Sequence, residues 1–218
     1  MSQRKVSFVS GEYYHVYNRG NSKQKIFLDE NDYLRFIGLL FVCNSSKNFK
    51  IDNFSKKENL LNFLRDKEIV NIGSYCLMPN HFHILITEIG EGNISRFMQK
   101  LSTAYAMYFN KKYQRLGSLF EGKFKAEHAS SDKYLKYLFS YINLNPVKLI
   151  EPKWKEQGIK SRAKVLDYLN EYSYSSYQDY MGKTRIENKI LNRSMFPEYF
   201  INREDFEREI FDWINFNR

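Results

Sequence analysis

The sequence predicts an α+β fold, in which an antiparallel sheet of ferredoxin-like or RRM-like type carries helices packed on one face. Segments rich in β-forming residues alternate with segments whose apolar residues recur at helical spacing, in the order β-α-β-β-α-(β)-α. Two of the strands are separated by a short turn that contains Pro79 and Asn80, a signal that predicts a hairpin and therefore antiparallel pairing. This order of elements is typical of α+β sandwiches.

The N-terminal part of the chain predicts a strand followed by a helix. Residues 13–17 are rich in β-forming side chains and lead into a turn signal at residues 18–21. Either Asp29 or Asn31 is placed to cap a helix whose apolar residues continue at helical spacing to Phe41.

An insertion, the hairpin and a long helix follow. Residues 44–66 are polar and rich in Lys and Asn, which predicts an insertion between core elements that contains one short helix. Residues 69–77 and 81–87 are the two predicted strands of the hairpin. Asn93 is then expected to cap a helix that continues to Tyr108.

The second half of the chain adds helices. Residues 117–125 predict a loop or a short β-ribbon, after which Ser131 or Asp132 caps a helix that stops at Pro146. After residue 183 no motif is recognised, but aromatic and aliphatic residues predict a packed helical extension. Further helices are predicted near residues 161–170 and 203–216.

Composition favours one substantial core and a polyanionic partner. The chain has 218 residues, of which 43% are hydrophobic. It carries 34 Lys and Arg against 25 Asp and Glu, a formal charge of +9, together with 17 Tyr and 18 Phe. Basic side chains bind phosphates, and aromatic rings stack on bases. The alternative is an ordinary basic soluble protein with an aromatic-rich core.

Cysteine content and hydropathy limit the class of protein. Cys43 and Cys76 are the only cysteines, so a disulfide framework is not expected and a cysteine-based zinc site is excluded. No signal peptide is visible, and no stretch approaches the roughly 20 apolar residues that a membrane-spanning helix needs. The expected location is the cytoplasm, with no membrane partner.

Two of the four histidines, His81 and His83, flank a single residue on a predicted strand. Side chains at i and i+2 on a strand point to the same face, so both imidazoles can reach one divalent cation. Such a site keeps positions open for an oxygen ligand and a phosphate oxygen, and it acts as a Lewis acid. Mg²⁺ and Mn²⁺ are the candidates, and Mn²⁺ tolerates imidazole better. The alternative is an ordinary pair of surface or core histidines.

Tyr141 and Asn145 form a second candidate pair. They stand at i and i+4 of a predicted helix and therefore share one face. Asn145 could supply the oxygen ligand and Tyr141 a nucleophile, although a phenol with a pKa of about 10 needs a cation or a base nearby. The alternatives are a core aromatic residue and a helix C-cap before proline. Other tyrosines compete for the role of nucleophile: Tyr105, Tyr108, Tyr113, Tyr134 and Tyr137.

The order of these motifs resembles the HUH single-tyrosine transposases, which carry an IS200-like transposase domain, and most of all the REP-associated tyrosine transposases. HUH denotes histidine–hydrophobic–histidine, here His81, Phe82 and His83. The family often has tryptophan where this chain has Tyr174. The blocks that carry the resemblance are Tyr14 to Val16, Asn18 to Asn21, Leu77 to His83, Phe109 with Asn110, Gly117 to Lys125, Tyr141 to Val147 and Tyr174 to Tyr177.

The resemblance implies an enzyme that cleaves and rejoins single-stranded DNA. His81, His83 and Asn145 would bind the divalent metal, Mg²⁺ or Mn²⁺. Tyr141 would attack a phosphodiester, leaving a 5′-phosphotyrosine link and a free 3′-OH, and the reverse reaction would transfer the strand. The partner would be single-stranded or hairpin DNA, and relatives act as monomers or as homodimers.

The resemblance covers residues 8–182, which we interpret as one transposase domain, and leaves residues 183–218 as a C-terminal extension. An alternative function is a domesticated protein that binds hairpin DNA without cutting it. A third, a metal-dependent hydrolase of RNA or nucleotides, gives Tyr141 no role.

Basic residues near these motifs are candidate DNA contacts, although each could equally be a solvated surface charge. One aromatic residue, Phe120, could stack on a base or could hold its loop to the core. The residues assigned to DNA binding are Arg19, Arg96, Lys100, Phe120, Lys123, Lys125 and Lys148. His15 and His128 are expected to be structural rather than to bind metal.

Overall fold

Four antiparallel strands form one sheet in the order β2-β3-β1-β4. The structure is a computed structural model that describes residues 6–47 and 60–215, so residues 48–59 of the predicted insertion lie outside the described residues. Together with the first two helices, the strands give the order β-α-β-β-α-β of the ferredoxin-like arrangement, as predicted. The strands are β1 (Tyr14–Arg19), β2 (Val70–Met78), β3 (His81–Glu88) and β4 (Lys125–His128).

The register of the sheet places the histidine pair beside β1. Pro79 and Asn80 form the two-residue turn of the β2–β3 hairpin, so Met78 pairs with His81. On the other side of β3, Tyr17 of β1 pairs with His83. The predicted hairpin is confirmed, and its strands differ from the prediction by a single residue at their ends.

The helices begin close to their predicted positions, with one exception. Asp29 caps the first helix through a capping box with Asp32, and Ser131 accepts a hydrogen bond from the Tyr134 amide. The cap predicted at Asn93 is wrong, because Gly92 takes the N-cap position with a φ of 76° that favours glycine. The helices are α1 (Glu30–Val42), α2 (Asn93–Lys112), α3 (Asp132–Asn143), α4 (Trp154–Gln157), α5 (Arg162–Glu171), α6 (Tyr177–Tyr180) and α7 (Arg203–Asn215).

Helices cover both faces of the sheet. One face packs against α1 and α2, through residues such as Val16, Phe82 and Ile84, whereas the sequence analysis placed the packed helices on a single face. The opposite face is covered as well, by α3 and the helices that follow it, over Cys76 and Leu85. Strands β2 and β3 are buried along nearly their whole length, as expected for strands enclosed on both faces. His81 and His83 alternate with Phe82 and therefore point towards α3.

A buried polar network fixes α3 against β2. The side-chain nitrogen Nδ2 of Asn143 donates to the Ser74 hydroxyl at 3.1 Å. The Ser176 hydroxyl donates to the side-chain oxygen Oδ1 of Asn143 at 2.9 Å. All three residues are fully buried. A buried polar group without a hydrogen-bond partner destabilises the fold, so these bonds favour the observed position of α3. The network sets the position of the helix two residues after Tyr141.

The segment after residue 183 contributes to both cores, and Ile190 belongs to the core that contains α1 and α2. Phe196, Phe206 and Ile210 belong to the core that contains α3, which is consistent with the predicted packed helical extension. A boundary between residues 182 and 183 stays a prediction. No helix in residues 6–47 or 60–215 is both long and apolar enough to cross a membrane.

Candidate active site

His81 and His83 present their rings side by side on the α3 face of β3. The ring centroids lie 4.9 Å apart and the rings are nearly perpendicular, at 89°. His81 Nδ1 lies 2.6 Å from Asn80 Oδ1. Because that oxygen only accepts, Nδ1 carries the proton and Nε2 keeps its lone pair. His83 Nε2 is buried and has no hydrogen-bond partner among the described residues.

A third histidine joins this pair from the neighbouring strand. His15 Nε2 lies 2.8 Å from His83 Nδ1, and both side chains are buried. His15 was expected to be structural on sequence grounds. The signal that could have identified it is its position on the same strand face as Tyr17, but this becomes informative only when β1 is known to pair with β3.

The imidazoles are neutral at pH 7. Burial lowers the pKa of His15 to about 4, and Glu127 opposes that shift only in part. Burial, followed by the charges of Lys148 and Arg19, lowers the pKa of His81 to about 4. The pKa of His83 is also well below its ordinary value, first because of burial. Neutral imidazoles offer lone pairs to a cation.

Tyr141 of α3 reaches the histidines from the opposite layer. Its ring stands edge-on to that of His83, with centroids 5.6 Å apart, and to that of His15 at 5.7 Å. Burial is the main cause that raises the pKa of Tyr141, and a hydrogen bond with the Asn145 side chain opposes the rise. Lys155, which the sequence analysis did not single out, places its ammonium 4.3 Å from the Tyr141 ring centroid.

The Asn145 side chain bonds to the end of helix α3 through its nitrogen. The helix ends at Asn143, Leu144 takes the C-cap position, and the Asn145 amide nitrogen donates to the Tyr141 carbonyl at 2.8 Å. Asn145 therefore assists in closing the helix end from one position beyond the C-cap. The amide oxygen is turned the other way, where the Lys148 ammonium lies 3.4 Å from it. Since a cation already lies beside this oxygen, the position suits positive charge.

These donors fit a divalent cation, although they are few. Two neutral imidazoles, one with an orphaned buried nitrogen, and an amide oxygen are ligands that Mn²⁺ accepts. In the part of the chain that the structure describes, no group of three or more His, Cys, Asp or Glu side chains is arranged to hold a metal. A site made of His81, His83 and Asn145 would therefore be open, with room for a phosphate oxygen.

A cavity of about 330 Å³ opens between the sheet and α3. Glu127 at its rim accepts hydrogen bonds from the hydroxyls of Tyr17 at 2.8 Å and Tyr134 at 3.2 Å. Burial and the Glu127 charge raise the pKa of both phenols to about 12. The residues that line the cavity are His15, Tyr17, His83, Glu127, Tyr134, Tyr137, Leu138 and Tyr141.

The structure separates the competing tyrosines into two groups. Tyr105, Tyr108 and Tyr113 lie on α2 or at its end, beneath the other face of the sheet. Their hydroxyls donate to Ile26 and Asp32. Only two of the competitors, Tyr134 and Tyr137, line the cavity with Tyr141.

Three of the basic residues assigned to DNA binding border the histidine face. Arg19 pairs with His81 in the sheet register, and Lys125 pairs with Tyr17. Side chains of directly paired residues share a face, so both project towards the cavity side. Arg19 also forms an ion pair with Glu121 at 2.8 Å. Lys148 lies beside Asn145.

The other assigned residues lie elsewhere. Arg96 and Lys100 of α2 donate to backbone carbonyls of residues 45–47 and so hold the start of the insertion. Phe120 is only 6% exposed and packs edge-on against Phe82, which favours its alternative role of holding the loop to the core. Lys123 is exposed on that loop.

Residues 39–145 match the family model described as "Transposase IS200 like". This segment is similar to an IS200-like transposase domain. The matched segment includes His81, His83 and Tyr141 and ends at Asn145, whereas β1 with His15 lies before it. The predicted family is confirmed.

A solved structure shares the fold of this IS200-like chain. It is described as the "structure of the REP associates tyrosine transposase bound to a REP hairpin". The TM-score is 0.52 at 14% sequence identity, over 86% of this chain and 90% of that one. No curated protein matches the chain in sequence. The α+β fold class is thereby confirmed.

Proposed function

We propose that this protein is a metal-dependent transposase that cleaves and rejoins single-stranded DNA through a covalent 5′-phosphotyrosine at Tyr141. One observation carries the proposal: the Tyr141 ring stands edge-on to His83, 5.6 Å between centroids, at the wall of a cavity that both residues line. The candidate nucleophile and one of the three candidate metal ligands therefore meet at one opening. The IS200-like family match and the fold support the same reaction class.

In this reaction the Tyr141 hydroxyl oxygen bonds to phosphorus, and the bond from phosphorus to the 3′-oxygen breaks. The phenol loses its proton and the departing oxygen gains one. Because burial raises the pKa of Tyr141, the lysine charges of Lys148 and Lys155 beside its ring are needed to favour the phenolate. Attack by a 3′-OH on the phosphotyrosine reverses the step and joins strands without a nucleotide cofactor.

His81, His83 and Asn145 would hold the cation. When bound, Mg²⁺ or Mn²⁺ supplies a Lewis acid that offsets the charge at the scissile phosphate. Asn80 orients the His81 ring through Nδ1, so that the ring presents its Nε2 to the site. Helix α3 keeps Tyr141 in register with this donor set through the buried Asn143 network.

The proposed substrate is single-stranded or hairpin DNA. Arg19 and Lys125 project from the histidine face of the sheet and Lys148 lies beside Asn145, and these side chains would contact phosphates along the approach to Tyr141. The structural relative is described with a REP hairpin bound, which supports a hairpin as the first substrate to test.

The test is incubation of the protein with single-stranded hairpin DNA and Mn²⁺ or Mg²⁺, followed by denaturing electrophoresis. A covalent protein–DNA band that disappears in Tyr141→Phe and persists in Tyr137→Phe would support the proposal. The second tyrosine is a matched control, because its ring lies 5.7 Å from that of Tyr141 in the same cavity.

Two other outcomes would overturn it. Retention of DNA without cleavage by the wild-type protein would favour the domesticated DNA-binding function. Cleavage without an adduct would indicate a hydrolase and would remove Tyr141 from the chemistry.

A further inference from the structure

We propose that His15 and Glu127 form a relay that fixes the proton of His83 on Nδ1, so that the Nε2 lone pair of His83 is held ready for a cation. The inference rests on the proposed function, because it assigns two positioning residues to the same metal site. Neither residue would touch the cation. Both lie outside the pair of histidines that the sequence motif identifies.

The relay consists of three side chains on three neighbouring strands. His83 lies on β3, His15 on β1, and Glu127 on the edge strand β4. His83 Nδ1 lies 2.8 Å from His15 Nε2, and His15 Nδ1 lies 4.0 Å from Glu127 Oε2. The first contact is a direct hydrogen bond, and the second is an electrostatic contact slightly beyond hydrogen-bond length. His15 pairs directly with Glu127 in the β1–β4 register, so the sheet itself aligns the two.

Only one arrangement of the imidazole protons suits all three side chains of the relay. A neutral imidazole carries one proton, and a carboxylate only accepts. If His15 carries its proton on Nδ1, that proton faces Glu127, and His15 Nε2 accepts from His83 Nδ1. In the opposite arrangement a lone pair on His15 faces the carboxylate, and His83 Nε2 carries a buried proton with no acceptor among the described residues. The first arrangement is therefore favoured.

The remaining contacts hold the relay in place. The Glu127 carboxylate accepts from the hydroxyls of Tyr17 and Tyr134, which fixes its orientation although its side chain is 50% exposed. The His15 ring stacks on Tyr17 with centroids 5.0 Å apart. These contacts restrict the rings to the orientation in which the hydrogen bond forms.

At His81 the proton is also fixed on Nδ1, but by a different residue, Asn80. There Asn80 Oδ1 accepts from Nδ1, and Nε2 is left with its lone pair. Both imidazoles of the pair thus have Nδ1 occupied by a partner and Nε2 directed to the site. Such outer partners raise the basicity of a ligand and fix its tautomer, and their loss commonly lowers metal affinity by about 10- to 100-fold.

The proton position is measured first, on metal-free protein, by long-range proton–nitrogen correlation spectra of the histidine rings. The expected result is a protonated Nδ1 and an unprotonated Nε2 on His83 in the wild type. His15→Phe should convert His83 to a mixture of both tautomers, while His81 keeps its own. A wild-type His83 with its proton on Nε2 would overturn the relay, whatever the protein does with metal or DNA.

Metal affinity is measured second, by Mn²⁺ titration followed calorimetrically. His15→Phe should weaken binding about 10- to 100-fold. His15→Gln, whose amide oxygen can accept at the position of Nε2, should restore most of the affinity, which a purely space-filling role of His15 would not predict. His128→Phe is the matched control, since His128 also contacts a glutamate, Glu12, but pairs with Tyr14 and therefore faces the other side of the sheet from Glu127.

Glu127→Gln keeps the test informative if the His15 variants fail to fold, because Glu127 is half-exposed. It should shift His83 towards the mixed tautomers and weaken Mn²⁺ binding. Unchanged tautomers and affinity in this variant would overturn the role of Glu127. A wild type that has the expected tautomer but binds no Mn²⁺ would instead refute the proposed metal site and support the relay.

Discussion

His83 Nδ1 lies 2.8 Å from His15 Nε2, so the histidine pair visible in the sequence is part of a row of three rings in the fold, of which His15 and His83 are buried. One end of the row, His81, is oriented by Asn80, and the other end approaches Glu127. Tyr141 stands against the middle of this row. The arrangement gives the tyrosine one well-defined set of neighbours and makes the contribution of each residue measurable.

His83→Ala should abolish cleavage while sparing most of the DNA affinity. The substitution removes a proposed metal ligand, whereas the basic residues on the same face of the sheet, Arg19 and Lys125, stay in place. Adduct formation and hairpin binding are measured side by side, the first on denaturing gels and the second by fluorescence anisotropy. His128→Ala serves as the control, and equal loss of binding and cleavage would contradict the assignment.

Lys148→Met should increase the affinity for Mn²⁺ in the absence of DNA, by about tenfold, which corresponds to ~1.4 kcal/mol. The Lys148 ammonium lies 3.4 Å from the Asn145 amide oxygen, and its charge also lowers the pKa of His81 and His83. It therefore competes with a cation for the same donors. Calorimetric titration measures the change, with the exposed Lys123→Met as control. Weaker Mn²⁺ binding would show that Lys148 does not compete for this position.

The same Lys148→Met variant should form the DNA adduct more slowly at saturating Mn²⁺. A scissile phosphate next to Tyr141 would lose one of the positive charges that border it. Single-turnover rates of adduct formation measure this effect. Rates equal to those of the wild type would place the phosphate away from Lys148.

Asn143→Ala should destabilise the fold and slow adduct formation. The buried Ser74 and Ser176 hydroxyls each lose a partner, at a cost of about 1–3 kcal/mol, and α3 loses its polar anchor to β2. Urea denaturation gives the free energy of unfolding, and Asn170→Ala on the exposed side of α5 is the control. A stable variant with a normal rate of adduct formation would show that packing alone positions Tyr141.

Acid should weaken the N-terminus of α1 through Asp29. The Lys112 ammonium, which lies 2.7 Å away, and the backbone amide of Asp32 hold the pKa of Asp29 below its ordinary value. Because the folded-state pKa is the lower one, this stabilisation is complete above the unfolded pKa of about 4 and is lost as pH falls below it. The gain is at most about 1 kcal/mol, since the side chain is 46% exposed.

Urea midpoints at pH 5 and pH 3 measure that effect. Asp29→Asn can still cap the helix but removes the charge, so it should lower stability at pH 5 and narrow the difference between the two pH values. An unchanged pH dependence in the variant would exclude Asp29 as a source of acid sensitivity.

Much of the fold follows from local patterns. The turn at Pro79 and Asn80 specifies the hairpin, and Asp29 and Ser131 cap the helices that they were expected to cap. Local patterns do not predict which other helix or strand a given element packs against. Apolar spacing predicts that a helix has a buried face, but it does not tell which face of the sheet receives it, and α3 covers the face opposite to α1 and α2.

The sequence by itself determined which residues share a face. His81 and His83 lie on the same face because side chains alternate along a strand. Tyr141 and Asn145 share a face because they are four residues apart in the sequence of the predicted helix. Backbone geometry fixes both placements without reference to the rest of the chain. It also provided the order of motifs from which the family was predicted.

Only the tertiary structure decided how these pairs meet. Pairing of β1 with β3 brought His15 to His83, and packing of α3 on that face brought Tyr141 to both. Packing of α2 placed Tyr105 and its neighbours beneath the opposite face. Such contacts join residues far apart in the chain, and their partners are selected by the sum of burial and strand pairing over the whole fold rather than by local spacing.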